Sequence, residues 1–259
     1  MAKKAHARAS SRGPELIAGG APFEYIESYK VLRTNFNFAT ANGKYRKIVI
    51  TSALRDEGKS SLGINLAISL AQADKKVLLV DADMRNPSLH RYMRLKKDPR
   101  LGLSTLLNGD AKVGDCLLHT EYGVDVLYGG PVPPNPAELV ASDAMRELLQ
   151  NASERYDYII CDAPPVGIIT DAAALSPLCD GVLYVIRQKY ASKPQVHSAI
   201  KSLRAVNAKI LGTVMTQYEI PENPTKRYGR YKKYGYRYNY GYGYGYGYGY
   251  ESDENKRTE

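Results

Sequence analysis

The sequence predicts an α/β fold, a mostly parallel central sheet with helices on both faces, followed by a tyrosine- and glycine-rich tail. Three observations carry this expectation. Short, near-continuous apolar runs recur between stretches of helical spacing, the pattern of strands buried on both faces. One run leads into Ala53-Leu-Arg-Asp-Glu-Gly-Lys59-Ser60, a phosphate-loop signature with Ala in place of the first glycine. Two other runs end on acidic residues, Asp81 with Asp83, and Asp162.

Residues 1–22 are basic and rich in Ser, Ala and Gly, and are expected to be disordered. Residues 24–39 carry Tyr25, Tyr29, Leu32 and Phe36 at helical spacing and read as an amphipathic helix. Strands are expected at 47–51, 76–80, 124–128, 157–161, 181–187 and 210–216. Helices are expected at 59–73, 136–150 and 193–207, which cover the sheet on both sides. Residues 220–259 form the tail.

The loop at 53–60 lies between a strand and a helix, the context that gives this pattern its meaning: a P-loop. Its backbone N–H groups, with the helix N-terminus, cradle the phosphates of a nucleotide. The expected ATP contacts are Ala53, Arg55, Asp56, Glu57, Gly58, Lys59, Ser60 and Ser61, with Lys59 as a mobile positive charge and the Ser60 hydroxyl on Mg²⁺. Asp81 and Asp83 fall at the carboxyl edge of the sheet, where ligands of such folds bind. Paired carboxylates beside Mg·ATP suit two tasks, holding metal and accepting a proton; alternatively they cap the turn that follows. Asp162 ends a Walker B strand and is expected to hold Mg²⁺ through water.

Of the chain's 22 tyrosines, half stand in the tail: Tyr228, Tyr231, Tyr234, Tyr236, Tyr238, Tyr240, Tyr242, Tyr244, Tyr246, Tyr248 and Tyr250. Alternating glycine leaves little to pack and makes ordering costly, so a flexible segment presenting phenols is expected. An adhesive aromatic low-complexity segment is the competing reading. A glycine-rich tail of roughly thirty residues has a span of about 30 Å, enough to reach a neighbouring molecule.

The net charge of +9 is concentrated at the two ends and points to an anionic membrane surface, because no nucleic-acid-binding motif accompanies it. The three cysteines, Cys116, Cys161 and Cys179, lack metal spacing and fit a reduced cytosolic protein. No long apolar run spans a bilayer, and the basic start lacks the apolar core of a secretion signal.

The P-loop, the motif VDADMRNP at 80–87, the strand IICDAPP at 159–165 and the tyrosine cluster together resemble the bacterial tyrosine kinases (BY-kinases). The form resembled is that of Gram-positive bacteria, in which the kinase is a separate cytosolic chain. Residues 102–109 and 129–139 are also similar to family sequences, and the likeness covers about 22–216 plus the tail in kind. It implies a kinase domain over 23–219 that uses ATP and Mg²⁺ to autophosphorylate the tail tyrosines in trans within a ring-shaped homo-oligomer. Further implications are a transmembrane polysaccharide co-polymerase adaptor as activator, a cognate tyrosine phosphatase, recruitment to the inner membrane face, and control of capsule or exopolysaccharide synthesis. No specific nucleic acid is expected. Carried onto this chain, Lys59 and Ser60 bind phosphates and metal, Asp83 and Asp162 help hold the metal, and Asp81 accepts the tyrosine proton, with Asp81 and Asp83 interchangeable. The family's oligomerisation motif E-x-x-R-x-x-R stands here as Glu27, Lys30 and Arg33, and Lys30 lacks the bidentate fork of arginine.

Two other functions compete. Partitioning and spatial-regulator ATPases share the P-loop but carry a signature lysine near the loop start, where this chain has Ala53, Leu54 and Arg55. A non-catalytic nucleotide-sensing scaffold would not need the full set Lys59, Ser60, Asp81, Asp83 and Asp162.

Overall fold

The computed structural model describes residues 15–219 apart from Gly19, Asn42, Lys97 and Pro99. The basic start over 1–14 and all eleven tail tyrosines lie outside the described residues. The described elements run α1 (Phe23–Ala39), β1 (Lys47–Ser52), α2 (Lys59–Ala71), β2 (Val77–Asp81), α3 (Leu89–Tyr92), α4 (Leu103–Leu107), α5 (Val113–Cys116), β3 (Leu117–His119), β4 (Val124–Leu127), α6 (Pro136–Val140), α7 (Asp143–Ser153), β5 (Tyr158–Asp162), α8 (Asp171–Leu175), β6 (Gly181–Arg187), α9 (Lys193–Ala205) and β7 (Ile210–Thr216). Among the described residues the sheet has seven strands in the order β3-β4-β2-β5-β1-β6-β7. All neighbours are parallel except β3 and β4, so the expected fold class holds.

The strands' continuous hydrophobicity has a direct structural use. Along β1, Val49 faces one core while Ile48 and Ile50 face the other. Along β5, Ile159 and Cys161 face the first core and Tyr158 and Ile160 the second. These two central strands are thus apolar on both pleats because helices cover both sheet faces. Cys161 fills core space as expected.

Helix α1 docks by the stripe the sequence shows: Tyr29 and Phe36 are buried, and Tyr25 and Leu32 pack beside them. Phe36 meets the Tyr158 ring at 5.2 Å between centroids. Arg33 Nη1 donates to the Ser69 carbonyl at 2.5 Å, clasping α1 to α2. Residues 15–18, within the stretch expected to be disordered, are anchored to α2. The Asn65 side chain accepts from the Ile17 N–H and donates to the Glu15 carbonyl, both at 2.9 Å, and Ile17 is buried.

Two expectations need correction. The single helix expected at 136–150 is two, α6 and α7, because the Ser142 hydroxyl accepts from the Met145 N–H at 3.2 Å and caps a fresh start. The antiparallel edge strand β3 and the short helices α3, α4, α5 and α8 were not expected, since segments of three to five residues offer no period to read. Among the described residues no helix is long and apolar enough to cross a membrane.

Phe36→Ala removes a ring that is 2% exposed and opens a cavity under α1. It is expected to cost about 3–5 kcal/mol in urea denaturation.

Candidate active site

The sheet order puts the three motifs on three consecutive strands. The P-loop leaves β1, Asp162 ends the adjacent β5, and Asp81 ends β2 beyond it, in direct register with Asp162. Neighbouring strands are about 4.8 Å apart, so one edge of the sheet collects all three.

The loop's shape comes from its residues. Gly58 has φ +86°, and Asp56 adopts the left-handed region at φ +57°. A side chain on Gly58 would meet the Thr216 methyl at 3.3 Å as well as being strained. Ala53, where the signature has glycine, is buried, and its backbone runs close against Gly167. A Cβ on Gly167 would collide with the Ala53 carbonyl oxygen, so only glycine is accommodated there. Lys59 opens α2 with only 8% exposure, and Ser60 and Ser61 are half-buried behind it. Arg55 and Asp56 are exposed at the rim.

The Glu57 side chain faces inward, away from the loop rim. Its side chain is fully buried, and Oε2 accepts from the Leu54 N–H at 2.6 Å while Oε1 accepts from the Arg187 N–H at 3.3 Å. The carboxylate therefore braces the loop internally, and only the Glu57 backbone is available to the cradle.

Asp81 is fully buried; its Oδ2 accepts from the N–H groups of Ser88 (2.9 Å) and Leu89 (3.1 Å). Burial holds its carboxyl well above the usual carboxylate range, with Asp162 adding to the rise and the two amides opposing it. Asp162 is pushed up to about 6, chiefly by burial, with Asp83 adding to the rise and Lys59 and Ser60 opposing it. Asp83 is half-buried and also raised by burial, against the pull of the Asn86 N–H and Lys59. Arg85 forms a two-pronged pair with buried Asp171, at 2.7 and 3.0 Å, which fixes α8 beside the site.

Asp81 Oδ1 and Asp162 Oδ1 are buried without a protein partner. Buried carboxylate oxygens normally have one. Among the described residues no cluster of three or more His, Cys, Asp or Glu forms a metal cage. Mg²⁺ typically keeps its waters and takes one or two carboxylates together with substrate phosphates, so these oxygens and the Ser60 hydroxyl fit it.

The expected oligomerisation residues lie apart from this edge on α1. Lys30 donates to Glu27 at 2.7 Å within the helix, and Arg33 is engaged with α2. Sequence reasoning overlooked Ser88, Asp171, Gly167, Arg187 and Thr216 as parts of the site. Ser88 lies only seven residues beyond Asp81, but the other four reach the site across long separations that no local pattern joins.

A P-loop cradle beside two strand-end carboxylates defines the class: a P-loop nucleotide-binding protein. Residues 46–214 match the family described as AAA domain. The chain is 37% identical over 211 residues to the tyrosine-protein kinase YwqD of Bacillus subtilis, covering 81% of this chain and 85% of that one. It is 34% identical to the tyrosine-protein kinase ptk of Acinetobacter johnsonii, across 75% of this chain but only 26% of that longer protein. Among solved structures, the chimerical protein CapA2B2 is 38% identical with a TM-score of 0.69, covering 73% of this chain and 83% of that one. The chain belongs to the bacterial tyrosine-kinase family.

Removing the Asp162 charge tests the electrostatics. A folded-state pKa of about 6 against an ordinary 3.8 means that folding favours the protonated form. This contribution to stability is present below about pH 4 and lost as pH rises through about 6. Asp162→Asn is expected to raise the stability of the nucleotide-free protein at pH 7 to 8 by on the order of 1–3 kcal/mol. The dependence of its denaturation midpoint on pH between 4 and 6 should flatten by about one proton.

Proposed function

We propose that this chain is an ATP-dependent protein-tyrosine kinase that phosphorylates its own C-terminal tyrosines in trans. The observation that carries this reading is the meeting of Lys59, Asp81, Asp83 and Asp162 at one sheet edge in a member of the tyrosine-kinase family. The kinase domain is assigned to 23–219 and the acceptor tail to 220–259.

In this reading the loop N–H groups and Lys59 hold the β- and γ-phosphates, while Ser60, Asp83 and Asp162 hold Mg²⁺. A bound Mg²⁺ supplies charge neutralisation at the phosphates. The phenol oxygen of a tail tyrosine bonds to the γ-phosphorus as the bond to the β,γ-bridging oxygen breaks. ADP leaves and the phenol proton passes to a carboxylate. Asp81 is assigned as that base: burial raises its proton affinity and its Oδ1 is uncommitted.

The family likeness further supports a ring-shaped homo-oligomer involving the helix of Glu27, Lys30 and Arg33. It also supports activation by a transmembrane polysaccharide co-polymerase adaptor at the inner membrane face, reversal by a tyrosine phosphatase, and a role in capsule or exopolysaccharide synthesis. Each phosphate adds about −1.5 to −2 charge, so five or six would cancel the +9 of the chain. Phosphorylation is therefore expected to loosen the oligomer, and a mass by light scattering that stays constant after ATP would refute that.

The decisive experiment is phosphotyrosine mapping by mass spectrometry after incubation with Mg·ATP, with and without the adaptor's cytosolic peptide. Phosphate is expected on Tyr228–Tyr250 and should vanish in Lys59→Met. A clean tail alongside ATP hydrolysis would favour a regulator ATPase instead. Asp81→Asn is expected to slow phosphorylation about 10²–10⁴-fold with nucleotide affinity retained, whereas Asp83→Asn should raise the Mg²⁺ requirement. The reverse pattern would exchange the two roles.

A further inference from the structure

The P-loop is held from behind at three carbonyls. Ser52 Oγ donates to the Leu54 carbonyl at 2.6 Å, Arg187 Nη1 to the Asp56 carbonyl at 3.2 Å, and Thr216 Oγ1 to the Glu57 carbonyl at 2.6 Å. In a planar trans peptide the N–H points opposite to the carbonyl before it. The last two bonds therefore turn the N–H groups of Glu57 and Gly58 away from Arg187 and Thr216. Arg187 ends β6 and Thr216 ends β7, both on one side of β1, while β5 and β2 with their carboxylates lie on the other. The two N–H groups are thus aimed toward the side of the cradle where Asp162 and Asp81 stand.

This shape needs holding. Asp56 at φ +57° is a conformation that a non-glycine residue keeps only where its surroundings over-determine it. Arg187 is itself fixed: its guanidinium stacks on the Tyr190 ring at 4.6 Å, and its backbone N–H donates to Glu57. Thr216 also bounds the loop sterically, because its methyl occupies the space that a side chain on Gly58 would need.

We propose that Arg187 and Thr216 are positioning residues for nucleotide phosphate, acting through the Asp56 and Glu57 carbonyls to aim the loop's N–H donors. The inference rests on the nucleotide-binding part of the proposed function and is independent of the tail as acceptor. The site thus draws on five strand ends: β1, β2 and β5 supply the groups that face the ligand, and β6 and β7 hold those groups in place.

The test uses the full-length protein, titrated with the fluorescent nucleotide mant-ADP in Mg²⁺, with thermal melting measured in its absence. Thr216→Val keeps the shape and removes the donor; it is expected to weaken mant-ADP binding about three- to tenfold. Its nucleotide-free melting temperature should move by less than about 4 °C. Thr216→Ser restores the hydroxyl and should bind within about twofold of wild type. Arg187→Met, which leaves the backbone bond to Glu57 in place, should weaken binding by a similar factor. Wild-type affinity in Thr216→Val or in Arg187→Met overturns the assignment of that residue, and a Thr216→Ser as weak as Thr216→Val overturns the hydroxyl's role. A wild type that binds mant-ADP yet leaves its tail unmodified refutes the acceptor reading, while the Thr216→Val titration still decides this one. A wild type that binds no nucleotide overturns both.

Discussion

Asp81 and Asp162 end neighbouring parallel strands in direct register, so the sheet forces two carboxylates into one dry place. Like charges in such a setting repel and resist ionisation. The surroundings can be read as the compensation this arrangement requires. Lys59 reaches in from α2, and the Ser88 and Leu89 amides grip one Asp81 oxygen. What remains uncompensated is one oxygen on each carboxylate, buried without a protein partner.

The rest of the molecule makes this tolerable. Two hydrophobic cores, one on each sheet face, fix the strands from both sides. Helix α2, which carries Lys59, is itself held by α1 through Arg33 and Tyr29, and by the Asn65 amide gripping the segment at 15–17. The lysine's position is therefore set by packing well away from the phosphate loop. Sites that concentrate unfavourable charge depend on such over-determined scaffolds.

Much of this was legible in the sequence where the signal is local. Apolar runs located six of the seven described strands to within a residue or two, and the P-loop pattern placed Gly58, Lys59 and Ser60 correctly at the start of α2. The carboxylates were legible because a strand that ends on Asp presents it at the sheet edge. The unread parts are those whose cause is distant. Arg187 lies 131 residues from Asp56 and Thr216 lies 159 from Glu57, so no spacing rule joins them. The inward use of the Glu57 side chain went unread for a related reason: only the fold brings the Arg187 amide, 130 residues away, to the same carboxylate as the Leu54 amide. The split between α6 and α7 turned on one hydroxyl, that of Ser142, within an otherwise unbroken helical pattern.

The buried side chain of Glu57 divides the variable stretch of the phosphate loop into two kinds of position. Arg55 and Asp56 are both exposed at the rim, but Asp56 holds a left-handed backbone whose carbonyl is tied to Arg187, so Arg55 is the position where a new side chain meets little but water. Glu57, though adjacent, is a keystone facing inward, and truncating it would strand the Leu54 and Arg187 amides. A protein engineer reshaping the rim of this loop would thus find one freely adjustable position, Arg55, then one limited by its backbone and one that behaves as core.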